Sequence, residues 1–214
     1  MLTIIFTLLA VISAAIFIRA EYRGPHLHIH IFKPLTMVFI LLIAILGQAA
    51  PPLYKYLIIA GLICSMAGDA FLMRPWDHFV AGLVAFLIAH LFYIVAFTSD
   101  IDLGGSLWAL IPLLIYGPVI YLVLSPGLGK LKLPVIVYII VILIMAWQAW
   151  ERWSQTGQNG ALLAFAGAIL FVISDTILAI NRFRSQFKLA RALNLMTYFA
   201  AQWLIAGSVG VNEI

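Results

Sequence analysis

The sequence predicts an all-α, polytopic transmembrane helical bundle of eight spans, and three observations carry that prediction. Of 214 residues, 65% are hydrophobic and only 9% are charged. A water-soluble domain of this size needs a far more charged surface. The apolar stretches are also continuous for about twenty residues, the length that carries a helix across a hydrocarbon layer of about 30 Å. Finally, they lack the period-two alternation of polar and apolar residues that a membrane-spanning barrel strand requires.

The expected spans cover about 2–19, 34–50, 55–73, 79–98, 106–124, 133–150, 160–181 and 192–211, within a single transmembrane domain, 1–214. The first lacks a basic stretch ahead of its apolar run, so it reads as a retained helix and not a cleaved signal. Arg23-Gly24-Pro25 closes it, and a loop with His26, His28 and His30 leads to the second span, which begins after Lys33. Pro51-Pro52 separates the second from the third, and Arg74-Pro75 separates the third from the fourth. The stretch Asp100 to Gly105 follows the fourth. The fifth carries Pro112 and the pair Gly117-Pro118, and Ser125 to Lys132 follows it. Ser154 to Gly160 divides the sixth from the seventh. These breakers interrupt helices for steric and hydrogen-bonding reasons. Trp76, Trp108, Trp147, Trp150 and Trp153 lie near segment ends, where interfacial aromatic belts form.

Loop charge sets the orientation. Arg19, Arg23, Lys33, Arg74, Lys130, Lys132, Arg182, Arg184, Lys188 and Arg191 fall in or beside odd-numbered loops. Only Lys55 and Arg152 fall beside even ones. Positive residues accumulate on the cytoplasmic side, so both termini are expected on the non-cytoplasmic side. The net charge of +4 is spread over these loops, with no basic run dense enough for nucleic acid, and none is expected as a partner. The one cysteine, Cys64, lies mid-span and can form no disulfide within the chain. The expected location is the bacterial inner membrane; oligomeric state is left open.

Two of the eight acidic residues stand inside apolar runs: Asp69 in 55–73 and Asp175 in 160–181. Glu21, Asp77, Asp100, Asp102, Glu151 and Glu213 fall in loops, at segment ends or at the terminus. A carboxylate at the centre of a lipid-embedded helix costs roughly 2.5–3.5 kcal/mol on insertion scales unless it faces protein or water. Asp69 is expected roughly 6 Å, and Asp175 roughly 10 Å, in from the cytoplasmic end of its helix, at 1.5 Å per residue. Gly61, Ser65 and Gly68 share a face with Asp69; Gly167, Ala168 and Phe171 share one with Asp175. Small residues let helices approach closely, so both acids should look into the bundle.

Other polar groups are expected in the same half of the membrane. Asn194, Tyr198 and Gln202 recur at every fourth position and form one stripe on the eighth span. The stripe suits either an interhelical hydrogen-bond seam or a site. His90 and Tyr93 share a face of the fourth span, and His90 reads either as a buried strut or as a functional group. Lys33 and Arg182 read either as interface anchors or as partners for a phosphate. For His26, His28 and His30 to bind a metal would take an extended loop and a nearby carboxylate, of which Glu21 is the only close candidate; no metal site is expected, and His78 with Asp77 reads as a solvated loop pair.

Several of these residues together resemble one family. Lys33-Pro34-Leu35-Thr36, Gly68-Asp69-Ala70-Phe71-Leu72-Met73, Gly82 through Ala89-His90-Leu91-Phe92-Tyr93, and Phe171-Val172-Ile173-Ser174-Asp175 resemble the YhhN-like lysoplasmalogenase family of eight-span membrane proteins. The ordered set runs from the second span to the eighth; the first span and the histidine loop carry little of it. The resemblance implies a hydrolase that cleaves the vinyl ether of a lysoplasmalogen, with membrane lipid around it and a lysophospholipid as substrate. The products would be a fatty aldehyde and glycerophosphoethanolamine or glycerophosphocholine. It also implies no metal or organic cofactor.

The chemistry fits two carboxyl groups. Protonating the distal vinyl carbon leaves an oxocarbenium ion, which water traps as a hemiacetal that collapses to aldehyde and alcohol. In glycoside hydrolysis a similar cation is managed by one protonated and one ionised carboxyl group. Asp69 and Asp175 are the expected pair, in a pocket opening toward the cytoplasm, and the sequence does not say which is the acid. His90 would relay a proton or orient a carboxylate. Lys33, Tyr93, Arg182, Asn194, Tyr198 and Gln202 would bind substrate or water. The competing class is a proton-coupled small-solute transporter using the same carboxylates, favoured by a faint 4+4 repeat of the Asp69 and Asp175 segments.

Overall fold

The computed structural model describes residues 1–73, 78–102 and 107–211. Arg74, Pro75, Trp76, Asp77, Gly104, Gly105 and Glu213, all used above, lie outside the described residues. Eight α-helices follow one another: α1 (Leu2–Arg23), α2 (His26–Leu46), α3 (Pro52–Phe71), α4 (Phe79–Thr98), α5 (Leu110–Leu124), α6 (Lys132–Thr156), α7 (Asn159–Phe183) and α8 (Ala190–Gly207). Short 3-10 turns lead into α5 and α6, and no strand occurs among the described residues.

Among the described residues, the segments long and apolar enough to cross a membrane number seven and correspond to α1 through α7. The eighth helix has 18 residues, long enough, but Arg191, Asn194, Thr197 and Gln202 dilute its apolar character. Those amides are not presented to lipid. Asn194 and Gln202 bond to neighbouring helices, which is how a helix this polar sits within the bundle.

Two boundaries that matter for burial differ from the sequence reading. The second helix starts at His26, not at 34, so His28 and His30 are helical and not in a loop. Pro34 lies inside this helix, and Lys33 sits two turns in. The sixth runs on to Thr156, placing Glu151 and Arg152 inside a helix. The sequence places both at or beside a segment end, yet they are 2% and 1% exposed. Arg152 grips Asp100 through Nε (2.9 Å) and Nη2 (2.8 Å) and lies 4.1 Å from the Tyr54 ring. The Tyr54 hydroxyl in turn shares a 2.7 Å hydrogen bond with Ser208. This buried cluster ties the ends of α4, α6 and α8 to the start of α3, at the end of the bundle opposite Asp69.

The helices pack chiefly as sequence neighbours: α1 on α2, α3 on α4, α7 on α8. Contacts of α4 with α6, α6 with α7, and α8 with both α2 and α3 close the core. By contrast, α5 is peripheral and rests on α6 and α7. Small residues set the closest approaches. A Cβ on Gly61 would stand 2.3 Å from the Tyr93 ring, and one on Gly167 would stand 2.9 Å from the Ala201 carbonyl oxygen. Any larger side chain there would push α3 from α4, or α7 from α8, and unseat the acids that follow about two turns later.

Candidate active site

The last turn of α3 presents Asp69 inward, and its carboxylate is almost fully buried at 6% exposure. Lys33 of α2 reaches it with Nζ 2.8 Å from Oδ1. Tyr198 of α8 donates its hydroxyl to Oδ2 at 2.7 Å. The Asp69 carboxylate is thus gripped from two other helices. This placement commits the Lys33 charge to a carboxylate, where the sequence had offered an interface anchor or a phosphate partner. An ion pair this deep resists loss of either member, because the survivor is stranded without solvent.

Asp175, two turns from the end of α7, has a different setting. It lines a cavity of about 70 Å³ together with Leu72, Phe79, Leu83, Phe86, Tyr116 and Ile120, among other apolar groups. Tyr138 of α6 also lines it and donates a hydrogen bond to Oδ2 of Asp175. No cation pairs with Asp175 among the described residues. At the rim, Arg182 lies 4.2 Å from the ring of Phe79, itself a wall of the cavity. Tyr116 and Thr176 share a 2.7 Å hydrogen bond across the gap between α5 and α7.

An aromatic partition stands between the two carboxyl groups. Phe171 packs edge-on against Tyr198 (5.6 Å between ring centroids), Phe86 (6.1 Å) and His90 (4.7 Å). Tyr198 also meets Phe86 at 5.8 Å. Asp69 does not line the cavity that Asp175 lines. His90 is fully buried, with Tyr138 at 5.3 Å on one side and Phe171 on the other. Neither ring nitrogen has a hydrogen-bond partner among the described residues.

The polar stripe of α8 divides its labour. Asn194 donates to the carbonyl (2.8 Å) and hydroxyl (2.9 Å) oxygens of Ser174, the residue before Asp175. Tyr198 serves Asp69, and Gln202 accepts from the Tyr93 hydroxyl at 2.9 Å. The structure therefore brings Lys33, Asp69 and Tyr198 together on one side, and on the other sets His90 against Tyr138, the partner of Asp175. Tyr93 and Gln202 pair deeper in the bundle, and Asn194 stands behind Asp175. Sequence reading missed Tyr138. Its signal was faint: a single phenol in the apolar run between Lys132 and Trp147, on the face shared with the buried Ile142 and Met145.

Comparison with known proteins bears on the site. The model of the YhhN family matches residues 28–209, which include every side chain named in this site. The chain belongs to the YhhN family. The YhhN membrane protein of Escherichia coli O157:H7 is 32% identical over 92% of this chain and 95% of its own length. Human lysoplasmalogenase TMEM86B is 36% identical over 71% of this chain, and human lysoplasmalogenase TMEM86A is 36% identical over 70%. The chain spans 62% of the length of the first and 63% of the second. No solved structure matches it.

Proposed function

We propose that this membrane protein is a hydrolase of the vinyl ether bond in lysoplasmalogens, releasing a fatty aldehyde and glycerophosphoethanolamine or glycerophosphocholine. Two relatives carry the name lysoplasmalogenase, and the match to them supports the reaction class. The single structural observation that carries the reading is a carboxyl group, Asp175, set in the wall of an otherwise apolar cavity with a phenol as its partner.

Asp175 is assigned the proton. The vinyl ether lies in the cavity, and the carboxyl proton passes to the vinyl carbon distal to oxygen. The oxygen-bearing carbon becomes an oxocarbenium ion, and Asp175 is left as a carboxylate beside it. Water adds to that carbon and returns a proton to Asp175. The hemiacetal then breaks its bond to the glycerol oxygen, which takes up a proton as the hydroxyl gives one up. One water is consumed, and aldehyde and alcohol are formed. Tyr138 orients the carboxyl group, and His90, wedged against Tyr138, limits how that phenol turns.

Asp69 takes the other role, a carboxylate paired with Lys33 and hydrogen-bonded by Tyr198. Behind Phe86 and Phe171 it is a fixed negative charge near the developing cation, and preorganised charges of this kind are an efficient way to stabilise a transition state. Lys33 is therefore the counter-ion of Asp69, and Arg182, at the rim beside Phe79, is the group we place against the lysolipid phosphate. The aliphatic chain needs more room than the cavity holds. It enters between α4 and α5, because among the described residues α5 leans chiefly on α6 and α7 and is the least packed wall of the cavity. All eight helices cross the bilayer as one domain of the bacterial inner membrane, with both termini outside and the cavity toward the cytoplasm.

The test is aldehyde release by the purified protein in detergent, given a lysoplasmalogen. Release that tracks protein concentration supports the hydrolase. No aldehyde, with solute-driven proton uptake in vesicles instead, would favour the transporter.

A further inference from the structure

The first helix lies outside the segment matched by the family model, and nothing in the proposed reaction uses it. It buries only the stripe Ala10, Ser13, Phe17 and Ala20 and rests chiefly on α2. Where it passes α8 the contact is slight, and a groove of about 700 Å³ remains between α1, α2 and α8. That volume falls in the roughly 300–1,000 Å³ range of ligand pockets. Its walls include small residues, Ala10, Ala14 and Ala15 on α1 and Ala200 on α8. Thr36 also lines the groove, and its hydroxyl is satisfied by Phe32 O at 2.7 Å and Ser13 Oγ at 2.8 Å, so it asks nothing of an occupant.

A polar clasp closes each end of the groove. At one, Trp203 donates its indole N–H to Thr7 Oγ1 at 3.0 Å. At the other, Tyr22 donates to the Lys188 carbonyl at 3.0 Å and accepts from the Ala192 amide at 3.1 Å. From Thr7 to Tyr22 the helix rises about 22 Å, more than the ~15 Å of one leaflet's hydrocarbon. Arg19 and Arg23 line the groove at the Tyr22 end, where α1 stops and α8 begins.

We propose that this groove binds one membrane phospholipid with an anionic head group: an acyl chain between the clasps, the phosphate on Arg19 and Arg23. It shares no lining residue with the cavity at Asp175, so it is a second lipid site and not the substrate's. Two guanidinium groups above an apolar slot are complementary to an anionic lipid, and Arg binds phosphate through several donors at once.

The test is native mass spectrometry of the purified protein with phosphatidylglycerol or phosphatidylcholine, paired with thermal melting. One phosphatidylglycerol should be retained per chain, and it should raise the melting temperature more than phosphatidylcholine does. Arg19→Gln with Arg23→Gln should remove that preference while leaving the lipid-free melting temperature unchanged. Ala14→Phe, which fills the slot, should prevent retention of either lipid. Equal effects of the two lipids, retention by Ala14→Phe, displacement by a lysolipid, or a dimer that Ala14→Phe breaks would each overturn the proposal. If Ala14→Phe fails to fold, the arginine variants still decide.

Discussion

Asp69 on α3 and Asp175 on α7 are both acids near the C-terminal end of an apolar helix, preceded by small residues that let a neighbour pack close. Their surroundings are opposite. Asp69 has a lysine and a tyrosine from two other helices and no share in the cavity. Asp175 has one phenol and faces apolar side chains across open space. The difference teaches that partners set two similar carboxyl groups apart: one is held by a cation and a phenol, the other faces an apolar cavity, and the proposed reaction gives the first the charge and the second the proton.

Removing the proposed proton donor breaks the comparison most sharply. Asp175→Asn should lower aldehyde release by about 10²–10⁴-fold, the usual worth of a positioned general acid, with the melting temperature near that of the parent. A variant that keeps the parent rate removes Asp175 from the chemistry. The charge-holding side is sharpened by Lys33→Met, which strands Asp69 and should cost about 3–5 kcal/mol of stability. Adding Asp69→Leu should recover most of that loss, measured by denaturation in detergent, without restoring activity. If the single variant is as stable as the parent, Asp69 is not held by Lys33.

Smaller effects separate positioning from support. Tyr138→Phe should slow release by about tenfold, the worth of a hydrogen bond to a reacting group of about 1.4 kcal/mol, through kcat more than KM. Asn194→Leu removes the tie from α8 to Ser174 and should cost about 1 kcal/mol of stability, with release nearly unchanged. A large loss of activity with normal stability would place Asn194 in the site itself.

Much of the helical plan was legible because lipid leaves the backbone few options. Runs of about twenty apolar residues marked the spans, and proline marked breaks such as Pro25 and Pro51, although Pro34 and Pro118 lie inside helices. The start of α2 was hidden: Lys33 and three histidines look like a loop, yet Lys33 needs no water once Asp69 meets it. Arg152 was hidden in the same way by Asp100 and Tyr54. Asp69 and Asp175 stood out because an acid in an apolar run is rare. Lys33 and Tyr198 stood out too, but as binders of substrate or water and not as the partners of Asp69. Tyr138 did not, since a phenol is an ordinary residue of an apolar helix whose role comes only from packing.

The proton transfer to carbon is tested most directly by isotopic labels in the products of lysoplasmalogen cleavage. With deuterium oxide as solvent, the aldehyde should carry a single deuterium on the carbon next to its carbonyl. With oxygen-labelled water, the label should appear in the aldehyde and not in the glycerol fragment. Aldehyde without deuterium at that carbon, or label in the glycerol hydroxyl, would contradict the reaction assigned to Asp175.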